Sequence, residues 1–385
     1  MTTGRSRRVV RYVGLFVSVT EQAGGSGRGK GARPEPQPLF AALDLGTNNC
    51  RLLIATPQGA GFRVVESFSR IVRLGDGLTR TGRLDDAAME RAMSALRICA
   101  DKVRKRGGIK VKAVATQACR AAANGPEFVR RVKAETGLDF SVITPREEAQ
   151  LSVAGCLNLL DHAMDAALVI DVGGGSTEFS WVDLKAGRER GGVPPMGAWL
   201  SVPTGVVTLA ERFPEPEGDP AAWFRSMVDH VKADIEAFPH AARFRDTFSA
   251  GRAHLIGTSG AITSLAGLHL GLRRYERSRV DGLWLTGADC VAAADRLIAM
   301  GPKGRAGEPC IGPERADLVL AGAAILQAVQ ETWACERVRV ADRGLREGIL
   351  LSMMATKAPP KSRRRRRSRG HRPAMVVAPL PIVAP

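Results

Sequence analysis

The sequence lacks several short motifs by which common enzyme classes are recognised. It contains no C-x-x-C pair, no G-x-x-x-x-G-K-[ST] phosphate loop and no G-x-S-x-G elbow. These absences argue against a cysteine-based metal or redox centre, a P-loop nucleotidase and a serine hydrolase of the elbow type. The histidines stand in unrelated contexts, so no nucleophile for covalent catalysis is evident.

Aromatic residues and long apolar runs are also scarce. Only 5% of the residues are aromatic, and no stretch is long and apolar enough to predict a membrane span. The seven cysteines are scattered, mostly in apolar segments, as expected for reduced thiols in a core. A short apolar patch near the N-terminus is not followed by an A-x-A site, so we expect no signal peptide. The sequence therefore predicts a cytoplasmic protein without a membrane partner.

The positive charge is concentrated at the two ends of the chain. The formal net charge is +17, of which residues 1–40 contribute +5 and residues 357–385 contribute +9. The remaining body carries only +3, which says little about what the folded part binds. We predict a disordered basic extension over residues 1–38. Residues 357–385 are expected to form a disordered, Arg-rich tail that is either a contact for polyanions or merely solvated.

The most informative stretch is LVIDVGGGSTE at residues 168–178. Its apolar start predicts a buried strand that ends at Asp171. The turn that follows is made of small or polar residues, namely Gly173, Gly174, Gly175, Ser176, Thr177 and Glu178. Glycines allow a sharp turn whose backbone N–H groups form an anion-binding nest. Carboxylates beside such a nest call for a bridging divalent cation or water, which favours phosphate chemistry.

A second copy of this pattern lies 127 residues earlier, counted from Asp44 to Asp171. Residues 41–55, AALDLGTNNCRLLIA, again run from an apolar strand into an aspartate. The candidate phosphate-binding residues of this turn are Gly46, Thr47 and Asn48. Two matched strand–Asp–turn units predict two similar lobes that face each other across a cleft.

A third glycine-rich turn, GTSGAITSLAGL, occupies residues 257–268. Its candidate phosphate ligands are Gly257, Ser259 and Gly260. A helix that starts near Ala261 would present its N-terminus to an anion. The same residues would equally serve as an ordinary helix N-cap.

Strands and helices alternate along the body, which predicts an α/β fold. Strands are predicted at residues 62–68, 111–115, 140–143 and 335–340. Helices are predicted after Asp85, after Asn124 and from Pro145, and over residues 221–238, 289–300, 314–331 and 341–354. Residues 185–192 are predicted to be a polar turn, and residues 193–213 to run into a helix.

Three charged positions each have two readings. Arg120 in TQACRAAANG is either a solvated surface arginine or a clamp on a phosphate oxygen. Glu147 and Glu148 follow Pro145, where acidic residues favour the dipole of a helix's first turn. Alternatively, one of the two glutamates points into the cleft as a base.

Six motifs follow one another along the chain: D-L-G-T-N-N-C-R from residue 44, Arg120 in its segment, R-E-E-A from 146, D-V-G-G-G-S-T-E from 171, G-T-S-G from 257 and G-L-R-E-G from 344. In this order they resemble the exopolyphosphatase/guanosine pentaphosphate phosphohydrolase (Ppx/GppA) phosphatase family. The resemblance spans about residues 40–355. It implies the two-lobed, actin-like and ribonuclease-H-like fold of sugar kinases and chaperone ATPases, built on mixed five-stranded sheets.

The resemblance also implies a mechanism. The glycine-rich turns would hold the terminal phosphates of polyphosphate or guanosine pentaphosphate. Asp44, Asp171 and Glu178 would position Mg²⁺, directly or through water. Glu148 matches the family's proposed base, and Arg120 matches a phosphate contact. Members of the family are often dimers, so a homodimer is expected, and the chain resembles a short form without the C-terminal HD-type helical domain.

Two alternatives remain open at this point. One is a kinase of the same superfamily, which would transfer phosphate from ATP to a small acceptor. The other is a sensor that binds polyphosphate or nucleotide without turnover. In either case we expect one lobe over residues 39–158, completed by the closing helix at residues 341–356, and a second lobe over residues 159–340.

Overall fold

The computed structural model describes residues 37–238 and 241–355. The predicted basic extension, apart from its last two residues, and the whole of the predicted Arg-rich tail lie outside the described residues. Within the described ranges, none of the helices is both long and apolar enough to cross a membrane.

The first part of the chain forms one mixed sheet with helices packed against it. Its strands are β1 (Phe40–Leu45), β2 (Asn49–Gln58), β3 (Gly61–Ile71), β4 (Lys110–Ala115) and β5 (Phe140–Val142). Its helices are α1 (Leu78–Thr81), α2 (Asp86–Arg104), α3 (Gln117–Ala121), α4 (Gly125–Thr136) and α5 (Pro145–Cys156). The strand order is β3-β2-β1-β4-β5.

A short 3₁₀ turn at Leu157–Leu159 leads into a second mixed sheet. Its strands are β6 (Ala166–Val172), β7 (Thr177–Asp183), β8 (Met196–Val202), β9 (Ala253–Thr258), β10 (Trp284–Thr286) and β11 (Arg337–Ala341). The order is β10-β11-β9-β6-β7-β8. The family resemblance implied five strands per sheet, and the short edge strand β10 is the sixth.

The helices of this second part connect and cover its strands. They are α6 (Leu184–Arg190), α7 (Val206–Arg212), α8 (Pro220–Glu236), α9 (Ala241–Ser249), α10 (Gly260–His269), α11 (Arg277–Val280), α12 (Gly287–Gly307) and α13 (Val319–Trp333). The last described element is α14 (Leu345–Ala355). Buried side chains of β6, β7, α8, α10, α12 and α13 form the largest apolar core.

The two sheets repeat one topology, as the duplicated motif predicts. In each, three consecutive antiparallel strands are followed by two strands added in parallel on the other side, and the second sheet ends with β10, which pairs antiparallel with β11. The duplication extends to single residue pairs: Asp44 on β1 lies opposite Arg51 on β2, and Asp171 on β6 lies opposite Glu178 on β7. The two aspartates therefore occupy equivalent positions.

Helix α14 returns to the first sheet after the second is complete. Leu345, Ile349 and Leu350 are buried against Phe40, Leu53 and other residues of β1 to β4. Each such buried side chain contributes about 1.5–3 kcal/mol from apolar burial. On this packing we propose that residues 39–158 and the closing helix form one lobe, and residues 159–340 the other.

Helices α5 and α14 approach each other unusually closely. A methyl group at Gly155 would lie 2.0 Å from the carbonyl oxygen of Gly344, and one at Gly348 would lie 1.9 Å from that of Leu151. Both distances are far inside van der Waals contact and involve backbone atoms. The two helices can therefore cross at this separation only with glycine at these positions.

The predicted helix after Asp85 is confirmed, with the Asp85 carboxylate accepting a hydrogen bond from Ala88 N at 3.0 Å. The polar turn predicted at residues 185–192 is wrong. Helix α6 forms there because Asp183 caps it, accepting from Ala186 N at 2.8 Å, and because Leu184 is fully buried.

The Asn124 amide has a different role from the predicted capping one. Asn124 does precede α4, but its side chain makes no cap hydrogen bond. Instead its Oδ1 accepts from Leu84 N at 2.8 Å and its Nδ2 donates to Leu84 O at 3.0 Å. The side chain therefore fastens the loop before α2 to the start of α4.

Candidate active site

The first two glycine-rich turns have the same internal geometry. Gly46 N donates a hydrogen bond to Asn49 O at 2.9 Å, and Gly173 N donates to Ser176 O at 2.9 Å. Both turns directly follow a strand whose second-last residue is a candidate site aspartate. The duplicated sequence pattern is therefore a duplicated backbone conformation.

The two turns touch each other across the interface between the sheets. A methyl group at Gly174 would lie 3.0 Å from Cβ of Thr47 and 3.1 Å from N of Asn48. One at Gly175 would lie 2.8 Å from Oγ1 of Thr47. The backbone of Gly174 comes this close to that of Asn48, and at Gly175 a methyl group would meet the Thr47 side chain. The structure brings the predicted phosphate-binding residues of both turns to one place.

Four carboxyl groups lie beneath these turns: Asp44, Asp171, Glu178 and Glu148. Burial raises the pKa of Asp171 to about 6, and the Ser152 hydroxyl, which donates to its Oδ2, only partly opposes this rise. Burial and then the Asp171 charge raise the pKa of Glu178 to about 7. Burial also raises the pKa of Asp44. The mutual repulsion shows that these groups share one electrostatic environment.

Glu178 is held in place by two hydroxyls. Its Oε1 accepts from Ser176 Oγ and from Ser201 Oγ, each at 2.8 Å. The side chain is only 1% exposed. Ser176 therefore orients the second carboxylate of its own motif, a role in addition to the predicted phosphate contact.

Glu148 and Glu147 point to different places, and this separates the two readings of the pair. Glu147 forms a capping box: its Oε2 accepts from Thr144 N at 2.9 Å, while Thr144 Oγ1 accepts from Glu147 N at 3.2 Å. Glu148 is buried, and burial followed by the nearby Glu178 charge raises its pKa well above the usual range. The interpretation as an acidic residue that favours the helix dipole therefore applies to Glu147. Glu148 faces the other carboxyl groups.

Arg120 is fixed by three contacts. Its Nη1 donates to Ile143 O at 2.7 Å and to Glu148 Oε2 at 3.2 Å, and its Nη2 donates to Gln117 Oε1 at 2.7 Å. The side chain is about 20% exposed, so it is not a solvated surface arginine. Its guanidinium group hydrogen-bonds to Glu148 and remains partly exposed at the site.

The start of α10 lies beside two arginines that the sequence analysis did not select. The Ser259 hydroxyl caps the helix by accepting from Ile262 N at 3.1 Å. A methyl group at Gly260 would lie 3.8 Å from Nη2 of Arg51 and 4.0 Å from Cζ of Arg315. Two cations at a helix N-terminus make a favourable place for an anion.

Arg51 and Arg346 both lie near Asp44, and their charges oppose the rise in its pKa. The only sequence signal for Arg51 was its place at the end of the D-L-G-T-N-N-C-R motif, and the structure sets it opposite Asp44. Arg346 stands in the G-L-R-E-G motif, which by itself gives no direction for the side chain. Arg315 lies in a loop segment without any motif.

Two of the predicted phosphate ligands make contacts within the protein that support the fold. The Thr177 side chain is fully buried, and its hydroxyl donates to Thr204 O at 2.7 Å. Gly257 lies within β9, where a methyl group would come within 2.6 Å of Ile262 Cδ1 and 3.2 Å of Val338 Cγ2. Their contact with phosphate stays a prediction.

The site offers carboxylate and amide oxygens, which are the ligands that Mg²⁺ prefers. Among the described residues, no three His, Cys, Asp or Glu side chains come close enough together to enclose a metal ion. Buried oxygen donors are nevertheless in excess, since Oδ1 of Asn48 and Oδ1 of Asn49 have no hydrogen-bond partner within the described ranges. Mg²⁺ normally takes one or two carboxylates and completes its shell with water and substrate phosphate. The residues fit an ion bound in this way.

Known proteins with similar sequences carry related names. The chain is 30% identical over 331 residues to exopolyphosphatase 2 of Mycobacterium tuberculosis, covering 81% of this chain and 98% of the relative. It is 28% identical over 324 residues to the guanosine-5'-triphosphate,3'-diphosphate pyrophosphatase of Aeromonas hydrophila, covering 82% of this chain and 60% of the relative.

Solved structures agree with this relationship. The Ppx/GppA family member of Aquifex aeolicus superimposes with a TM-score of 0.68 at 27% identity, over 84% of this chain and 100% of that one. An exopolyphosphatase from Cytophaga hutchinsonii has the same fold, with a TM-score of 0.72 at 22% identity, over 83% and 98% of the two chains. These matches confirm the predicted actin-like, two-lobed α/β fold.

The family model described as the Ppx/GppA phosphatase family matches residues 53–357. This range includes the whole second sheet, Glu148, Arg120 and the second glycine-rich turn, but it begins within β2 and so leaves out β1 and Asp44. With the duplicated aspartates and the shared fold, the match leads to one conclusion: the chain belongs to the Ppx/GppA phosphatase family.

Proposed function

We propose that the protein releases the terminal phosphate of inorganic polyphosphate or of guanosine pentaphosphate by attack of water. As a member of its family the chain is a hydrolase of acid anhydrides. The observation that carries the finer proposal is the position of Glu148. It is a buried carboxyl group, bonded to Arg120, and it faces the carboxyl groups beneath two phosphate-binding turns.

Glu148 is suited to take the proton of the attacking water. A general base works best when its pKa lies near the working pH, and burial moves the pKa of Glu148 in that direction. Arg120 Nη1 holds Oε2, which leaves Oε1 of Glu148 to accept the water proton. The proton moves from water to Glu148 as the oxygen attacks the terminal phosphorus in line with the leaving oxygen.

The phosphate chain would be held mainly by backbone and cationic groups. The N–H groups of Gly46 and Gly173 close their own turns, and the other backbone N–H groups of the two turns would donate to phosphate oxygens. Arg51 and Arg315 at the start of α10 would neutralise charge further along the chain. Interactions of this kind stabilise the charge that shifts toward the leaving oxygen.

Asp44, Asp171 and Glu178 would hold Mg²⁺ through water and phosphate oxygens. When bound, the ion would neutralise phosphate charge and orient the phosphoryl group. Its presence would also favour the charged forms of carboxyl groups that repel one another without it.

The test is phosphate release with Mg²⁺ from long-chain polyphosphate and from guanosine pentaphosphate, measured in parallel without an acceptor. Release into water from at least one substrate supports the proposal. A requirement for ATP and a small acceptor would replace it with the kinase reading. Binding without release from either would replace it with the sensor reading.

A further inference from the structure

Arg73, in the loop after β3, has an unusual backbone conformation. Its φ is 46°, in the left-handed region that residues with a side chain rarely adopt. This conformation is unfavourable for an L-residue and persists only where the surrounding contacts determine it. The contacts of Arg73 must therefore offset the free energy that its backbone conformation costs.

The backbone around Arg73 is attached to the first phosphate-binding turn. Arg73 N donates to Asn48 O at 3.1 Å, and Val72 N donates to the same oxygen at 2.8 Å. Two residues further on, Gly75 N donates to Thr47 O at 2.9 Å. Thr47 and Asn48 are two of the predicted phosphate ligands. The loop and the turn therefore form one hydrogen-bonded unit in the first lobe.

The side chain of Arg73 reaches the second lobe. Its Nη1 and Nη2 donate to the two carboxylate oxygens of Asp317, each at 2.8 Å, and Nη2 also donates to Glu314 O at 3.0 Å. A paired contact of this kind fixes direction as well as distance. The Arg73 side chain is 31% exposed, so most of it is enclosed between the two lobes.

The residue bracketed by these contacts is Arg315. Glu314 precedes it and Asp317 follows it by two positions, so Arg73 holds the short segment on both sides of Arg315. The Cζ of Arg315 would lie 4.0 Å from a methyl group at Gly260, at the start of α10. The direction of the Arg315 guanidinium toward the site therefore depends on a segment that Arg73 holds.

The loop that carries Arg73 has further contacts of its own. Arg91 Nε donates to Val72 O at 3.0 Å, and its Nη2 donates to Arg73 O at 3.2 Å. Glu211 Oε1 accepts from Gly77 N at 2.8 Å. These contacts do not involve the Arg73 side chain, so the loop keeps its attachments when that side chain is removed.

We propose that Arg73 is a positioning residue that holds Arg315 at the start of α10, at a fixed separation from the first phosphate-binding turn. Its backbone is bonded to the turn and its side chain to the segment of Arg315, so the two move together. A cation placed in advance of the reaction stabilises developing charge without reorganising. The inference rests on the proposed function, which assigns Arg315 to neutralise phosphate charge.

The variant for the test is Arg73→Gly. Glycine adopts a φ of 46° readily, so the loop conformation is retained while the guanidinium group is removed. The matched control is Arg225→Ala, because Arg225 also donates to both carboxylate oxygens of one partner, Glu331, at 2.7 and 2.9 Å, but within the second lobe. Denaturant unfolding of both variants confirms that each is folded before its kinetics are compared.

Phosphate release from long-chain polyphosphate is measured in the wild type, Arg73→Gly, Arg315→Ala and the double variant. We expect Arg73→Gly to lower kcat/KM about tenfold, because a misplaced charge costs rate. In the Arg315→Ala background the same change should cost no more than about twofold, since no cation is left to position. The control Arg225→Ala should match the wild type. An equal loss in both backgrounds, or no loss in the wild-type background, would overturn the proposal.

Arg73→Lys supplies the conservative replacement. Its ammonium group still pairs with Asp317 but cannot also reach Glu314 O, so kcat/KM should return to within about threefold of the wild type. Activity as low as that of Arg73→Gly would show that the paired charge does not position Arg315, and would overturn the proposal.

Equilibrium binding of tripolyphosphate, measured without Mg²⁺, separates this inference from the proposed function. If the wild type releases phosphate from no substrate, the proposed function fails and binding to the same four proteins still decides about Arg73. An affinity about threefold lower in Arg73→Gly, with no further loss in the Arg315→Ala background, supports the inference. Equal losses in both backgrounds, or none in either, overturn it.

Discussion

Arg120 Nη1 donates to Oε2 of Glu148 at 3.2 Å, and the same nitrogen donates to the carbonyl of Ile143 at 2.7 Å. This pair joins α3 to the first turn of α5, two elements that are separate in sequence. It restricts the rotation of the Glu148 carboxylate and places a cation beside it. The relationship accounts for how a buried glutamate keeps a fixed direction among other acids.

Arg120→Ala should therefore impair catalysis by releasing Glu148 and removing a phosphate contact. We expect kcat/KM to fall by about 10²-fold or more, since loss of a positioned charge at a reacting centre commonly costs this much. Arg120→Lys should restore little, because lysine cannot replace the fork that reaches Ile143, Glu148 and Gln117 together. Steady-state kinetics of the two variants check this, and near-complete rescue by lysine would contradict it.

The loop after β3 supports the first phosphate turn through a tight contact. A methyl group at Gly75 would lie 2.2 Å from Cγ2 of Thr47 but 3.5 Å from its Cβ. Gly75→Ala should destabilise the protein by about 1–3 kcal/mol through overpacking. Adding Thr47→Ser removes Cγ2 and should recover most of that loss. Denaturant unfolding of the two single variants and the double variant measures the coupling between Gly75 and Thr47. If the two changes in the free energy of unfolding simply add, the predicted contact is wrong.

The crossing of α5 and α14 predicts opposite outcomes for two glycine-to-alanine changes in helices. Gly348→Ala should be strongly destabilising, by roughly 3 kcal/mol or more, because the new methyl meets the Leu151 carbonyl and cannot move away. Gly307→Ala, near the end of α12, meets nothing within 4 Å and should be neutral or stabilising by up to about 1 kcal/mol. Denaturant unfolding of the two variants measures these changes in the free energy of unfolding. Equal changes in Gly348→Ala and Gly307→Ala would be inconsistent with this packing.

His254 makes stability depend on pH. It is 2% exposed, and burial lowers its pKa to about 4. In the unfolded chain its pKa is about 6.5, so between these values the unfolded state binds more protons and stability falls as pH falls. The loss attributable to His254 should approach roughly 3 kcal/mol near pH 4. In His254→Gln, the unfolding free energy should fall less between pH 7 and pH 4. An unchanged slope would contradict the prediction.

The repeated topology was predictable because it is encoded locally. Each copy is an apolar strand, an aspartate and a glycine-rich turn, and these three signals do not depend on distant contacts. The predicted helix after Asp85 likewise follows from a cap and an apolar stripe. Strand β8 was not predicted from the sequence. Most of its side chains are only partly buried and Gly197 interrupts them, so its sequence shows little alternation of apolar and polar residues.

The direction of side chains was less predictable than their position. Glu147 and Glu148 are adjacent and chemically alike, and only the orientation of α5 assigns one to the cap and the other to the cleft. Arg51 is aimed by its register opposite Asp44, and Arg315 lies in the turn before α13, where it approaches Gly260 from a distant part of the sequence. These assignments depend on contacts between segments far apart in the sequence.

Glu148 is the residue on which the proposed chemistry depends most, and its neighbour Glu147 supplies the control. Phosphate release from long-chain polyphosphate and guanosine pentaphosphate should be compared in the wild type, Glu148→Gln and Glu147→Gln. We predict a loss of about 10²–10⁴-fold in kcat for Glu148→Gln with folding intact. Glu147→Gln should retain activity and lose at most about 1 kcal/mol of stability from the weakened cap. Near-wild-type release by Glu148→Gln, or an equal loss in both variants, would contradict the account.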